Sequence, residues 1–414
     1  MKTSYLAGTI VARAGGEMSG PAVLLLSFAA SGAAATGSVL LASLTLASAM
    51  GGPVLGTLLD RSRRPDRLLA GALAAYALGI AALAVTAGRL PLPAVVPIAL
   101  AAGVSFPAVE GGWTSQLPRI VTVSDLPRAS ALDALTYDAG SLAGPALAAV
   151  ATAWVGARLA VGMAAALVGI TVPVALTIFR ASATAALPRT AARSSAAGHR
   201  PDSPARQLAA GFAAIVRRRA LLRATVTSAV SYVGIGTLIV CCPLLGRQRL
   251  GGEDHGALLI SAMAVTSLAA NALLANRHWR SRPDTRVLTS TLFIGTGIAA
   301  AAMASGWLVV LAVAVAGVGS GPQLTALFEV RHREAPEHMR GQIFTTAASL
   351  KIAGFAAGAA LAGPLAGRSL TACLLIAAGI EAAAAAAYLA CTRRPSRLAF
   401  ARDRWSGQTH RRLR

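Results

Sequence analysis

Charge is what this sequence has least of. Only 13% of its 414 residues are charged while 55% are hydrophobic. A soluble domain carries nearer a quarter of charged residues, so a water-soluble chain is excluded. Acidic residues are scarcer still, 16 against 38 basic ones. Lysine is almost missing: Lys2 and Lys351 stand beside 36 arginines. With so much Ala and Gly, that bias matches a GC-rich coding sequence and gives most Arg-over-Lys choices no special meaning. The four cysteines, Cys241, Cys242, Cys373 and Cys391, lie in apolar segments without CxxC spacing, which reads as small packing residues. All six histidines fall outside the apolar blocks, leaving no metal cluster within them. No GxxxxGK[ST] loop is present, which argues against nucleotide-driven chemistry. Arg13 and Glu17 interrupt the first apolar stretch, so it does not read as a secretory signal.

What is present is a series of apolar blocks of about 20 residues, the length that crosses a bilayer as a helix. Twelve spans are expected, near 5–30, 36–59, 68–87, 92–117, 129–152, 157–179, 224–245, 257–276, 287–305, 306–330, 341–364 and 369–391. The net charge of +22 first suggests a nucleic-acid partner, but its placement points to topology. With the N-terminus inside, 31 of the 38 basic residues fall in the inner segments, as in the four arginines of "RSRRPDR" at 61–67. Short cytoplasmic loops carry such an excess. Both termini are therefore expected in the cytoplasm, in a multi-pass protein of the plasma (bacterial inner) membrane, with no nucleic acid involved.

Three markers recur at about half the chain length. "SRRPDRLL" (62–69) is echoed by "RSRPDTRVL" (280–288), "AGVSFP" (102–107) by "AGVGSGP" (316–322), and "LPRASALDAL" (126–135) by "EHMRGQIFTT" (337–346). Together they indicate two homologous six-span halves, a common plan among transporters. The expected organisation is a six-helix bundle over 1–180, a basic cytoplasmic loop over 181–223, a second six-helix bundle over 224–391 and a basic cytoplasmic tail over 392–414. The end of the loop, "RQLAAGFAAIVRRRALLR" (206–223), suits a helix lying on the membrane surface.

This layout resembles the major facilitator superfamily. The family's loop between spans two and three follows Gly-x-Leu-x-Asp-Arg-x-Gly-Arg-Arg/Lys, and Gly56, Leu58, Asp60, Arg61 and Arg64 fit it, with Arg63 and Pro65 departing. The span-five pattern Gly-x-x-x-Gly-Pro-x-x-Gly-Gly, associated with proton-exchanging exporters, is kept at Gly140, Gly144 and Pro145 and lost at Ala148 and Ala149. An arginine that many drug exporters carry in span four is missing, and Glu110 is the charge there. The resemblance implies an all-α integral membrane fold of twelve transmembrane helices in two bundles.

Ionisable groups within spans are functional candidates because burying one in hydrocarbon costs roughly 3 kcal/mol or more. Arg13 and Glu17 are one helical turn apart, which suits either a proton site tuned by the arginine or a structural ion pair. Asp138 and Lys351 lie at matching depths of about 15 Å in spans five and eleven, and are expected to pair across the cleft. Glu110, Trp113, Gln116, Tyr232 and Gln323 are candidates for a cavity that binds an amphiphilic solute. Gly140, Gly144 and Pro145 are read as a seal or pivot between the halves. Asp60 is read as a latch toward Arg119 or Arg340. Asp133 and Glu329 are expected near water, and Glu381, mid-span in the last helix, has no assigned role.

The reading is a monomeric secondary transporter, not an enzyme, with no cofactor or metal. It exports small molecules across the lipid bilayer in exchange for protons. A proton-coupled uptake symporter is the alternative, and a non-transporting membrane sensor or enzyme is a remote one.

Overall fold

The computed structural model describes residues 3–31, 34–185, 203–252, 255–276 and 282–393, and these are helical throughout apart from short connections. The first half comprises α1 (Thr3–Ser31), α2 (Ala34–Arg61), α3 (Pro65–Thr86), α4 (Leu92–Ser105), α5 (Leu126–Val155) and α6 (Ala157–Gly169, continued as Thr171–Ala185). A linking helix, α7 (Pro204–Arg217), precedes the second half. That half comprises α8 (Arg219–Arg249), α9 (His255–Asn276), α10 (Pro283–Met303), α11 (Leu308–Glu334), α12 (Arg340–Ala366) and α13 (Leu370–Arg393). Each expected span coincides with a helix, and among the described residues ten helices are long and apolar enough to cross a membrane. Of the twelve helices at expected spans, the two below that measure are α1 and α5. They carry Arg13, Glu17, Asp133 and Asp138, whose polar groups are met largely inside the protein.

The boundaries follow local chemistry. Pro65 and Pro283 begin α3 and α10, where the missing proline N–H would have no helical partner anyway. Gly156 and Gly306 adopt φ +87 and +54, left-handed conformations that glycine enters without a Cβ clash. They divide α5 from α6 and α10 from α11. After Pro107, α4 widens into a π-helical turn, Ala108–Gly112, before a last α-turn at Trp113–Ser115. Such bulges often mark functional positions, and this one carries Glu110.

Buried apolar residues form one cluster from Tyr5 to Ile178 and another from Ile235 to Ala377, so each half has its own core. Helix α7 starts at Ser203, whose Oγ accepts the Arg206 N–H at 3.3 Å as an N-cap. It does not continue through 223 as expected, because the chain turns at Arg218 before α8. The Leu208 carbonyl accepts a bond from Gln342 Nε2 at 2.8 Å, which ties α7 to α12. The expected tail lies outside the described residues from 394 onward, as does the central loop over 186–202.

Candidate functional site

The two halves meet at the arginine-rich end of the molecule, and the first contact is made by Asp60. Its Oδ1 and Oδ2 accept the backbone N–H groups of Gly341 at 2.7 Å and Gln342 at 2.8 Å. These are free donors at the start of α12, where the helix dipole favours a carboxylate. Asp60 thus caps a helix of the opposite half, and the two expected partners, Arg119 and Arg340, are near enough to act on its charge. Arg340 also stands 3.7 Å from Glu337. Arg61, Arg63 and Arg64 are exposed around it.

Glycine makes this contact possible. A Cβ on Gly56 would collide with the backbone of Gly341 and Gln342, and one on Gly52 with Ser349 and Thr345. The hydroxyls of Thr345 and Ser349 donate to the Gly52 and Ser48 carbonyls at 2.5 and 2.7 Å. The motif glycine is therefore required by helix approach.

Arg13 does not pair with Glu17. Its fully buried guanidinium reaches across to α5, where Nη1 meets the Asp133 carbonyl at 2.8 Å and Oδ1 at 3.2 Å. It also bonds Thr136 Oγ1, and Nη2 donates to Thr114 Oγ1 at 3.0 Å. Tyr5 and Thr114 donate to the same carboxylate at 2.9 and 2.7 Å. Asp133 is fully buried rather than solvated, because two hydroxyl donors and a cation replace its water. The Arg13 guanidinium also lies 3.5 Å from the centroid of the Tyr137 ring, a cation–π geometry.

Lys351 and Asp138 do not pair with each other. Lys351 Nζ, on α12, bonds Glu110 Oε2 on the π turn at 3.2 Å. It sits 4.6 Å from the Tyr137 ring centroid and 5.1 Å from that of Tyr232. Tyr137 donates to the Glu110 carbonyl at 2.6 Å. Asp138 accepts from Ser267 Oγ at 2.8 Å and Asn271 Nδ2 at 2.5 Å, both on α9. Each is still a contact between halves, but every carboxylate holds a different partner from the one expected. Glu17, Asp138, Tyr232 and Lys351 are half-buried and border the space between the halves.

Other candidates are relocated. Trp113 is fully buried edge-on to Tyr5, and Gln116 is buried, its Nε2 donating to Ser115 Oγ. Both belong to the first half's core rather than a cavity wall. Gln323 is enclosed in the second half, where its Nε2 donates to Ser231 Oγ and Thr291 Oγ1. Ser231 in turn donates to Glu381 Oε1 at 2.9 Å. Glu381 therefore points into its own half, over Gly234 and Gly295, which leave room for it. Gly140 and Gly144 do not seal the halves: a Cβ on either would strike α1 at Arg13 or Glu17. They let α1 approach α5 within one half, and α5 runs unbroken through Pro145. Glu329 is paired with Arg286 rather than lying beside Arg331.

Asp133, Tyr5, Tyr137, Ser267, Asn271 and Arg331 were not anticipated as site residues. One signal for Asp133 was available. At about 100° per residue, five positions turn a helix by about 140°, so Asp133 and Asp138 must face different neighbours. The sequence pattern carries no comparable signal for which helix supplies the partner.

Burial shows how the halves are disposed. Residues 341–349 of α12 are buried without a break, whereas from Lys351 onward only every fourth residue, Gly354, Gly358, Ala362 and Ala366, is buried. Cβ positions on Gly354 and Gly358 would meet α8, of the same half. Residues 323–328 of α11 are likewise buried all round, and α5 goes from mostly buried over 129–137 to mostly exposed over 141–150. The arginine-rich half of the molecule is closed about these helices, and beyond the Lys351 level they pack on one side.

Among known proteins, a model of the Major Facilitator Superfamily matches residues 5–359. An uncharacterized MFS-type transporter of Sinorhizobium fredii, y4rN, is 25% identical over 300 residues, 71% of this chain and 70% of its own. The solved structure of the human organic anion transporter MFSD10 has TM-score 0.70 at 16% identity, covering 93% of this chain and 98% of its own. A bacterial homologue of the iron transporter ferroportin in an outward-facing state also has TM-score 0.70, at 15% identity over 95% and 100%. The proton:xylose symporter XylE has TM-score 0.67 at 13% identity over 93% and 95%. At these identities the solved structures share the fold.

Proposed function

The chain belongs to the major facilitator superfamily, and from that premise we propose that it is a secondary active transporter exporting small molecules in exchange for protons. In this reading twelve helices cross the membrane as two six-helix bundles, and the arginine-rich end faces the cytoplasm by the positive-inside rule. The form described here is then closed to the cytoplasm and parted toward the outside, one of the two states of alternating access.

The observation that carries the reading is that three carboxylates of the first half hold donors of the second at the closed end. Asp60 holds the start of α12, Asp138 holds Ser267 and Asn271, and Glu110 holds Lys351. A proton on any of them removes an acceptor and weakens closure. Protons entering from the outer side reach the half-buried Glu17 and Asp138 first. Neutralising these groups favours opening to the cytoplasm, where the substrate binds and the proton leaves. Inward protons thereby drive the step that resets the carrier for export.

The test is expression in a host made sensitive by loss of its own exporters, screened with a panel of amphiphilic dyes and antibiotics. Lower accumulation of at least one compound is expected, abolished by Glu110→Gln. Unchanged accumulation of every compound contradicts export. In proteoliposomes with a trapped pH dye, the direction of proton movement on adding that compound separates antiport from the uptake symport.

A further inference from the structure

Arg331 is the cation that the proposed cycle does not use. It lies on α11 near the closed end, 3% exposed, and its Nε and Nη2 have no hydrogen-bond partner. No ion pair among the described residues includes it. A guanidinium taken from water without a counter-charge is penalised by several kcal/mol. Its neighbour His332 is buried against the Phe344 ring, 4.4 Å between centroids, and Arg340 follows at the start of α12.

Arg331 lines a small internal cavity between the halves together with Lys351, Tyr137, Phe328, Phe344 and Gly111. Lys351 closes the end toward the central cleft, and its one carboxylate partner, Glu110, lies on the side of the π turn. The rings stand in tilted contact, Tyr137 to Phe328 at 5.5 Å and Phe328 to Phe344 at 5.9 Å. Tilted aromatic pairs present ring edges, which carry partial positive charge. No carboxylate lines the cavity. Two cations, aromatic rings and unspent N–H donors thus surround a space that, in this closed form, is about the size of a water molecule.

We propose that this cavity is a binding site for a small monovalent anion, held by the Arg331 guanidinium with Lys351 at its far end. The anion is a free halide or the carboxylate of a small acid, and both present the charge and acceptor capacity that Arg331 lacks. Binding stabilises the form closed at the arginine-rich end, because the cavity walls come from α4, α5, α11 and α12 of both halves. The site holds whichever way the transporter runs.

The full chain, purified in detergent, is heated in sodium chloride, sodium formate or sodium benzoate, with sodium gluconate as the ionic-strength control. A saturable rise in unfolding temperature of roughly 2–4 °C over gluconate is expected. A response to chloride alone identifies a free halide, formate alone a small carboxylate and both together a site that takes either, while benzoate, too large for the closed cavity, should give no shift. Arg331→Gln should lose the shift, and Arg331→Lys should need higher concentrations. Ala347 also lines the cavity, so Ala347→Leu fills it with Arg331 in place and should also lose the shift, which decides the matter should Arg331→Gln not fold. No anion-specific shift in the unaltered protein, or a full shift in Ala347→Leu, overturns the proposal.

Discussion

At the residue scale, the molecule separates two kinds of buried charge. The Arg13–Asp133 pair lies within one half, is sealed from water and has donors on both carboxylate oxygens, so its role is architectural. Removing one partner leaves an uncompensated charge, and Asp133→Asn or Arg13→Gln should each lower stability by about 3–5 kcal/mol, read as thermal unfolding in detergent. The double variant Arg13→Met with Asp133→Leu should recover much of that loss, since no charge is then stranded. Lys351–Glu110 joins the halves and leaves Glu110 Oε1 without a partner, which suits a contact that forms and breaks. Reversing either charge alone should abolish export with the fold intact, and reversing both should restore a measurable part. Absence of any rescue would count against direct pairing. These charges were legible in the sequence as rare ionisable groups in apolar spans, but their partners were not. Arg13 and Asp133 are 120 positions apart and Lys351 and Glu110 241 apart. A choice among three acids at similar depth depends on helix rotations that an apolar, Gly/Ala-rich sequence does not encode in its periodicity.

At the scale of elements, the proposed cycle makes the joint between α2 and α12 the one that must part for the arginine-rich end to open. Gly52 and Gly56 let the helices touch backbone to side chain, and Asp60 fastens the end by capping α12. Gly56→Val should hold the helices apart and populate the form open at the arginine-rich end. A cysteine placed by Thr345→Cys, buried in the present form, should then react with a hydrophilic maleimide at least several-fold faster than in the unaltered background. Asp60→Asn should move the same rate in the same direction by less, because the glycine contact remains. The motif containing Gly56 and Asp60 was visible in the sequence because a charged turn between two apolar runs stands out. Its counterpart, two backbone N–H groups at the start of α12, has no side-chain signature to read. The Gly140 and Gly144 pattern shows the converse: its spacing announces close packing, and only the folded neighbours reveal that α1, not the other half, fills the space.

At the scale of the whole molecule, topology and closure make one account. By the positive-inside rule the proposed orientation puts the basic segments in the cytoplasm, and reporter fusions after Arg67 and after Arg393 should both report from there. Span positions were legible because apolar block length is set by the bilayer. The state of the carrier was not, since both states of alternating access satisfy the same pattern. In the proposed cycle first-half carboxylates hold the arginine-rich end closed, and protonation releases it. The most direct measurement is the distance between spin labels at Arg61→Cys and His338→Cys, two exposed positions on opposite halves of that end, with Cys391 replaced, in lipid nanodiscs. A short, narrow distribution at alkaline pH should shift to a longer one on acidification, with Asp60→Asn showing the longer distance at both. A distribution that does not change with pH, or that shortens on acidification, would contradict that cycle.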